Sequence, residues 1–159
     1  MASTANAECR SDEPIVSAEL PETGERFEGL LPPVSTAPCF AIRKPAQLLY
    51  TLEDYVRDHI ITHGQAQVLR EAVSERRNIV IAGGAGSGKT TLVNALLDEI
   101  ASAGDRVVIL EDTRELVCSA EDCVALRTTP GIVSLRDLIK STLRLRPDRI
   151  IIGETRGGE

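Results

Sequence analysis

The sequence predicts an α/β fold, a parallel sheet flanked by helices, and three observations carry that expectation. Short apolar runs of strand length alternate with stretches of helical periodicity. The apolar content is dominated by Val, Ile, Leu and Ala, with no Trp, two Tyr and two Phe, a composition suited to parallel strands buried on both faces. Finally, Gly83-Gly84-Ala85-Gly86-Ser87-Gly88-Lys89-Thr90 is a complete G-x-x-x-x-G-K-[ST] loop, the phosphate-binding turn that joins a strand to a helix in such sheets.

The 159 residues are enough for one buried core. Residues 1–13 read as a disordered polar tail. Residues 14–38 read as a hairpin and linker: Pro14–Leu20 and Glu25–Leu31 flank the turn Pro21-Glu22-Thr23-Gly24, and Pro32, Pro33 and Pro38 follow. A hairpin alone is marginal in water, so it is expected to be the remnant of a separate N-terminal domain.

Residues 39–159 read as a partial P-loop domain, opening with a short strand at 39–43. Thr51 with Asp54, and Thr62 with Gln65, form two capping boxes. The first helix should bury Leu52, Tyr55, Val56 and Ile60; the second should bury Val68, Leu69, Ala72 and Val73 and run to Arg76-Arg77. Residues 78–82, Asn-Ile-Val-Ile-Ala, are expected to form the strand that enters the loop. Thr91–Ile100 leaves it as a helix with an apolar face at 92, 93, 96, 97 and 100. Further strands are expected at 106–110, 123–127 and 149–153. Ser134 with Asp137 caps a helix over 135–145 whose face is Leu135, Leu138, Ile139 and Leu143, and Pro147 bars its continuation.

The chemistry is set by the loop. Gly83, Gly84, Ala85, Gly86, Ser87 and Gly88 can turn backbone N–H groups onto a triphosphate, and the helix start at Lys89-Thr90-Thr91 adds its positive dipole end. Lys89 should reach the β- and γ-phosphates of ATP, and Thr90 should offer its hydroxyl to Mg²⁺. Residues beyond strand ends converge at the carboxyl edge of a parallel sheet. Glu111, Asp112 and Glu154 are therefore expected beside Lys89 and Thr90, where a carboxylate can orient water or help hold Mg²⁺. Glu111-Asp112 also fits a capping or ion-pairing pair, and Glu154 a surface acid. Arg26, Arg43, Arg127, Arg149 and Arg156 are cations usable against a γ-phosphate, Arg156 standing two residues past Glu154. Arg136, Lys140 and Arg144 make a basic stripe, read as a solvated helix face or a subunit contact.

Net charge is −6, from 18 basic and 24 acidic residues, which argues against nonspecific nucleic-acid binding. Residues 1–30 carry seven acids and two arginines, whereas 127–159 carry seven basic residues and four acids. Cys9, Cys39, Cys118 and Cys123 have no CxxC spacing and are expected to be free buried thiols in a reducing cytosol. His59 and His63 could face one metal from a helix, but Gly64 is expected to end that helix. No secretory signal is apparent, and no apolar run approaches the roughly 20 residues that span a bilayer.

Further stretches carry a resemblance to a known family. Gly24-Glu25-Arg26-Phe27-Glu28-Gly29-Leu30-Leu31-Pro32-Pro33 and Phe40-Ala41-Ile42-Arg43-Lys44-Pro45 precede the loop. Ile109-Leu110-Glu111-Asp112-Thr113-Arg114-Glu115-Leu116 forms an acidic box. Arg146-Pro147-Asp148-Arg149-Ile150-Ile151-Ile152-Gly153-Glu154-Thr155-Arg156-Gly157-Gly158-Glu159 carries Glu where many P-loop proteins carry Asp. Together these resemble the type II/IV secretion ATPase superfamily, and within it the TrbB-type conjugal-transfer ATPases.

The resemblance implies a RecA-like P-loop sheet, with Lys89 and Thr90 on phosphate and Mg²⁺ and with Glu111 and Glu154 nearest the hydrolytic water, Glu154 also reaching the metal, partly through water. It implies that Arg26 and Arg43 bring charge to the nucleotide. It further implies a homo-hexamer, cytoplasmic and peripheral at the inner membrane, working with secretion and conjugation components, without direct sequence-specific nucleic-acid binding. The family has a larger N-terminal domain and a His-containing box beyond position 159, so a truncated chain is expected. Two other readings stand beside the motor: a nucleotide-binding remnant without turnover, and a small P-loop kinase or GTPase. No Asn-Lys-x-Asp stretch is present to read guanine.

Overall fold

The computed structural model describes residues 14–21, 23–44, 49–129 and 131–154. The chain divides into two units, residues 1–47 and 48–159. In the first, β1 (Ile15–Glu19), β2 (Arg26–Leu30) and β3 (Cys39–Arg43) form an antiparallel sheet in that order. The expected hairpin is present, but it is not alone. Residues 39–43, expected to open the P-loop domain, ladder onto β2 with Leu30 opposite Cys39 and Arg26 opposite Arg43. The unit therefore runs past the boundary expected at 38, because two strands need a third before their apolar face is worth ordering. Phe27 stacks on Phe40 with ring centroids 5.9 Å apart.

The second unit begins with α1 (Leu52–Arg57) and α2 (His63–Ser74), each entered through a closed capping box, Thr51–Asp54 and Thr62–Gln65. The threonine hydroxyl accepts from the N3 amide while the N3 side chain accepts from the cap's own N–H, so two otherwise orphaned donors are satisfied at each start. Gly64 lies inside the first turn of α2 and does not end a helix; His59, at φ +56°, belongs to the turn between the two. Ile60 and Val68 are exposed, so the buried faces narrow to Leu52 and Tyr55 on α1 and to Ala66 and Val73 on α2.

The parallel sheet has the order β5-β4-β6, built from β4 (Val107–Glu111), β5 (Cys123–Arg127) and β6 (Arg149–Ile152). Every residue of β4 is buried. Its period-2 alternation divides the core: Val107 and Ile109 pack with α1, α2 and α3 (Lys89–Ala101), whereas Val108 and Leu110 pack with α4 (Leu135–Thr142). Helices thus cover both faces of the strand, as its continuous apolar run requires. α4 is shorter than expected. Leu143 points to solvent at 71% exposure, and Thr142 is buried instead, its hydroxyl donating to the Leu138 carbonyl at 2.8 Å.

The strand expected at 78–82 is not laddered. Among the described residues these five pair with no strand, and Val80 is 91% exposed. The apolar signal is real, but a strand also needs a partner for its backbone, and the ladder of β6 is made with β4 alone.

One polar cluster braces the base of the sheet. Asp105, 5% exposed, accepts from Arg149 Nε at 2.6 Å and from Arg76 Nη2 at 2.5 Å, while Arg149 Nη1 donates to the Val73 carbonyl at 2.6 Å. The end of α2, the entry to β4 and the start of β6 are tied at one carboxylate. The hydrogen bond from Arg149 first, and then the charges of Arg149 and Arg76, hold the Asp105 carboxyl below the usual range. Asp105→Asn should therefore cost about 3 kcal/mol of unfolding free energy in urea at neutral pH, since it leaves a buried guanidinium uncompensated. A lowered acid pKa stabilises above the unfolded value of about 3.9 and ceases to do so as pH falls through the folded value. The deficit of the variant should accordingly shrink in acid.

Candidate active site

The loop at 83–90 carries its glycines where geometry demands them. Gly86 (φ +71°) and Gly88 (φ +85°) adopt left-handed backbone, and Gly88 is the N-cap of α3. A Cβ at Gly83 would meet Ser87 Oγ at 2.5 Å, so the turn closes tightly on itself. The Lys89 ammonium donates to the carbonyls of Gly83 (3.0 Å) and Gly84 (2.7 Å). Thr90 and Thr91 are half-buried in the first turn of α3. The start of a 13-residue helix thus carries a lysine across the mouth of a glycine loop, an arrangement that offers N–H groups and positive charge to an anion.

Glu111 is the last residue of β4 rather than the first beyond it, and it is 4% exposed. A carboxylate so placed needs donors, and its Oε1 accepts from the amides of Glu115 and Leu116, each at 2.9 Å. Burial pushes its pKa up; the two amides pull the other way, and the Glu115 charge adds to the rise. The chain after β4 is thereby folded back as a strap. Asn94 of α3 holds the strap from the other side, donating to the Glu115 carbonyl (3.4 Å) and accepting from the Val117 amide (3.0 Å).

The consequence is that Glu115, not Glu111, presents a carboxylate to the loop. Thr90 Oγ1 donates to Glu115 Oε2 at 3.2 Å. Neither Glu115 nor Asn94 was identified from the strand-end rule. The available signals were a second acid four residues after Glu111 and a polar residue set among the apolar positions of α3.

Asp112 turns aside: its Oδ1 accepts from Thr128 Oγ1 at 2.8 Å and its carbonyl from Arg127 Nε at 3.1 Å. Both contacts turn Asp112 toward the end of β5. Glu154 is exposed and follows Gly153, at which a Cβ would lie 3.0 Å from Glu111 Cγ. The ends of β4 and β6 are therefore in contact, as a parallel sheet requires. Arg149 is committed to Asp105 at the opposite end of β6. Arg26 and Arg43 face one another across β2 and β3 in the N-terminal unit. Arg156 lies outside the described residues. Cys39 is exposed, Cys118 and Cys123 are half-buried and Cys9 lies outside the described residues, so none of the described cysteines is fully buried as expected.

The chain has relatives among known proteins. The family model described as type II/IV secretion system protein matches residues 5–159. The chain is 53% identical over 154 residues to the conjugal transfer protein TrbB of Rhizobium radiobacter, covering 96% of this chain and 47% of that protein. It is 32% identical over 185 residues to the type IV secretion system protein VirB11 of Bartonella henselae, covering 91% and 51%. Among solved structures, the VirB11 ATPase of the Brucella suis type IV secretion system, in complex with sulphate, aligns with a TM-score of 0.54 at 35% identity, over 95% of this chain and 51% of that one. The pilus retraction motor PilT with bound ADP aligns with a TM-score of 0.65 at 21% identity, over 91% and 40%, a likeness of fold. The chain spans about half the length of the curated relatives it matches. From its loop, its acidic box and these matches, it belongs to the type II/IV secretion system protein family.

Proposed function

We propose that residues 83–90 bind ATP with Mg²⁺, and that the chain is the nucleotide-binding part of a motor subunit whose ATP hydrolysis powers pilus assembly or substrate transfer in a conjugative type IV secretion system. The observation that carries the reading is the connected series Glu111–Glu115–Thr90 beside Lys89: a buried carboxylate positions a strap, and the strap brings a second carboxylate to the hydroxyl at the loop. The names of the relatives, a conjugal transfer protein and secretion-system ATPases, support the biological setting. A homo-hexamer, peripheral at the cytoplasmic face of the inner membrane and working with secretion components, remains part of the proposal. So do the roles of Arg26, Arg43, Asp112 and Arg156 toward the nucleotide.

The donors suit Mg²⁺. Thr90 supplies a hydroxyl, Glu115 and Glu154 supply carboxylates, and a hard cation takes oxygen ligands. Such an ion needs only one or two protein oxygens, because it is carried in with substrate phosphates and keeps several waters. When bound, Mg²⁺ would neutralise charge building on the β- and γ-phosphates.

The residues of the chain do the rest. Lys89 leaves the Gly83 and Gly84 carbonyls for phosphate oxygens, and the loop amides hold the triphosphate still. Glu115 or Glu154 accepts a hydrogen bond from the attacking water and aligns it with the γ-phosphorus. Glu111, already engaged by two amides, acts by positioning Glu115. One observation favours nucleotide binding without turnover as a second reading: residues 78–82, which lead into the loop, are not laddered into the sheet.

Titration of the full chain with labelled ATP and GTP, paired with a phosphate-release assay, separates these readings. ATP-preferring binding with release supports the motor, binding without release supports the second reading, and a preference for guanine removes the motor. Lys89→Ala should weaken ATP binding by about 30-fold, the loss of charge-assisted bonds worth about 2 kcal/mol; unchanged affinity would contradict the loop assignment. Glu115→Gln should cut phosphate release about 100-fold while ATP affinity stays within about threefold, the split expected when a carboxylate acts on the water rather than on binding.

A further inference from the structure

The strap that carries Glu115 ends beside a feature that nucleotide chemistry does not use. Cys118 lies on the strap, just beyond the Val117 amide held by Asn94, and Cys123 is the first residue of β5, paired with Val107. Both side chains pack against the same apolar cluster, which includes Val107, Leu97 and Ile109, and the Cys118 thiol is a neighbour that helps raise the Cys123 thiol. Both are free and partly exposed. Four residues separate them, and the Asp122 carbonyl accepts from the Val107 amide at 2.9 Å, which fixes the base of the turn.

We propose that Cys118 and Cys123 are a reversible redox pair, oxidised to an intramolecular disulfide by exchange with a small-molecule disulfide such as glutathione disulfide, and that the bond tethers the Glu115 strap to β5. Burial, and then the Cys118 contact, push the Cys123 thiol up to about 11. Cys123 therefore stays protonated at neutral pH, and the opening attack falls to Cys118. The Cys118 thiolate attacks one sulfur of glutathione disulfide and expels a glutathione thiolate. Cys123 then loses its proton, attacks Cys118 Sγ and expels the second glutathione thiolate. In sum, two protein thiols are oxidised to one disulfide, one glutathione disulfide is reduced, and the two released protons end on the two glutathiones.

The full chain, incubated with glutathione disulfide and then alkylated, provides the test by peptide mapping and hydrogen exchange. The expected result is a Cys118–Cys123 disulfide reversed by dithiothreitol, with slowed amide exchange over 113–121. In Cys123→Ser, glutathione should remain trapped on Cys118, whereas Cys118→Ser should gain little adduct. A wild-type chain that keeps its glutathione adduct, or pairs Cys118 with Cys39 or Cys9, overturns the proposal, as does a disulfide that leaves strap exchange unchanged. Control of the nucleotide site rests additionally on the function proposed above. Oxidation should slow phosphate release about tenfold, by restraining the strap that carries Glu115, and leave the Cys118→Ser/Cys123→Ser variant unaffected. Equal phosphate release in the oxidised and reduced wild type refutes that control. If the reduced chain binds no ATP at all, the nucleotide reading fails, while the peptide map still decides the redox pair.

Discussion

A carboxylate inside a protein has to find hydrogen-bond donors, and Glu111 has only its own chain to supply them. It ends a strand with no exposed residue, between two helical layers. The donors it finds are the amides four and five residues further on, so the backbone must reverse as it leaves β4. That reversal lays Glu115 on Thr90, gives Asn94 two partners and delivers Cys118 to Cys123. The catalytic reading, the hold on the helix and the thiol pair all descend from satisfying one buried charge.

The elements most legible in the sequence were those governed by local chemistry. The three capping boxes, Thr51–Asp54, Thr62–Gln65 and Ser134–Asp137, close as their spacing indicates, because a cap needs nothing beyond its own first turn. β5 occupies its expected residues, and β4 and β6 lie within a residue of theirs, since an apolar run between polar ends marks a buried strand without reference to its neighbours. The turn at 83–88 was legible for the same reason, Gly86 and Gly88 taking the left-handed backbone that favours glycine.

The features that escaped the sequence were those that depend on distant partners. The addition of β3 to the N-terminal sheet turns on pairing Leu30 with Cys39 across a proline-rich connection. Residues 78–82 carry a strand's composition without a ladder. Leu143 continues the periodicity of α4, but the helix stops at Thr142, and exposure tracks the backbone rather than the pattern. Glu115 was missed because the strand-end rule assigns function by proximity in sequence to a strand, whereas its position is set by a hydrogen bond back to Glu111. The matched family region, residues 5–159, takes in both the loop and the acidic box, and the chain spans about half the length of the relatives it matches.

Strand β6 is pinned at both extremities. At its foot Arg149 is bolted to Asp105 and the Val73 carbonyl, and at its tip Gly153 rests so close to the Glu111 side chain that an added methyl group would press on it. A strand fastened in this way behaves as a rigid spar. The glycine turn and the folded-back strap therefore lie beside a strand that is held at both ends, and any rearrangement of either is made against that fixed edge.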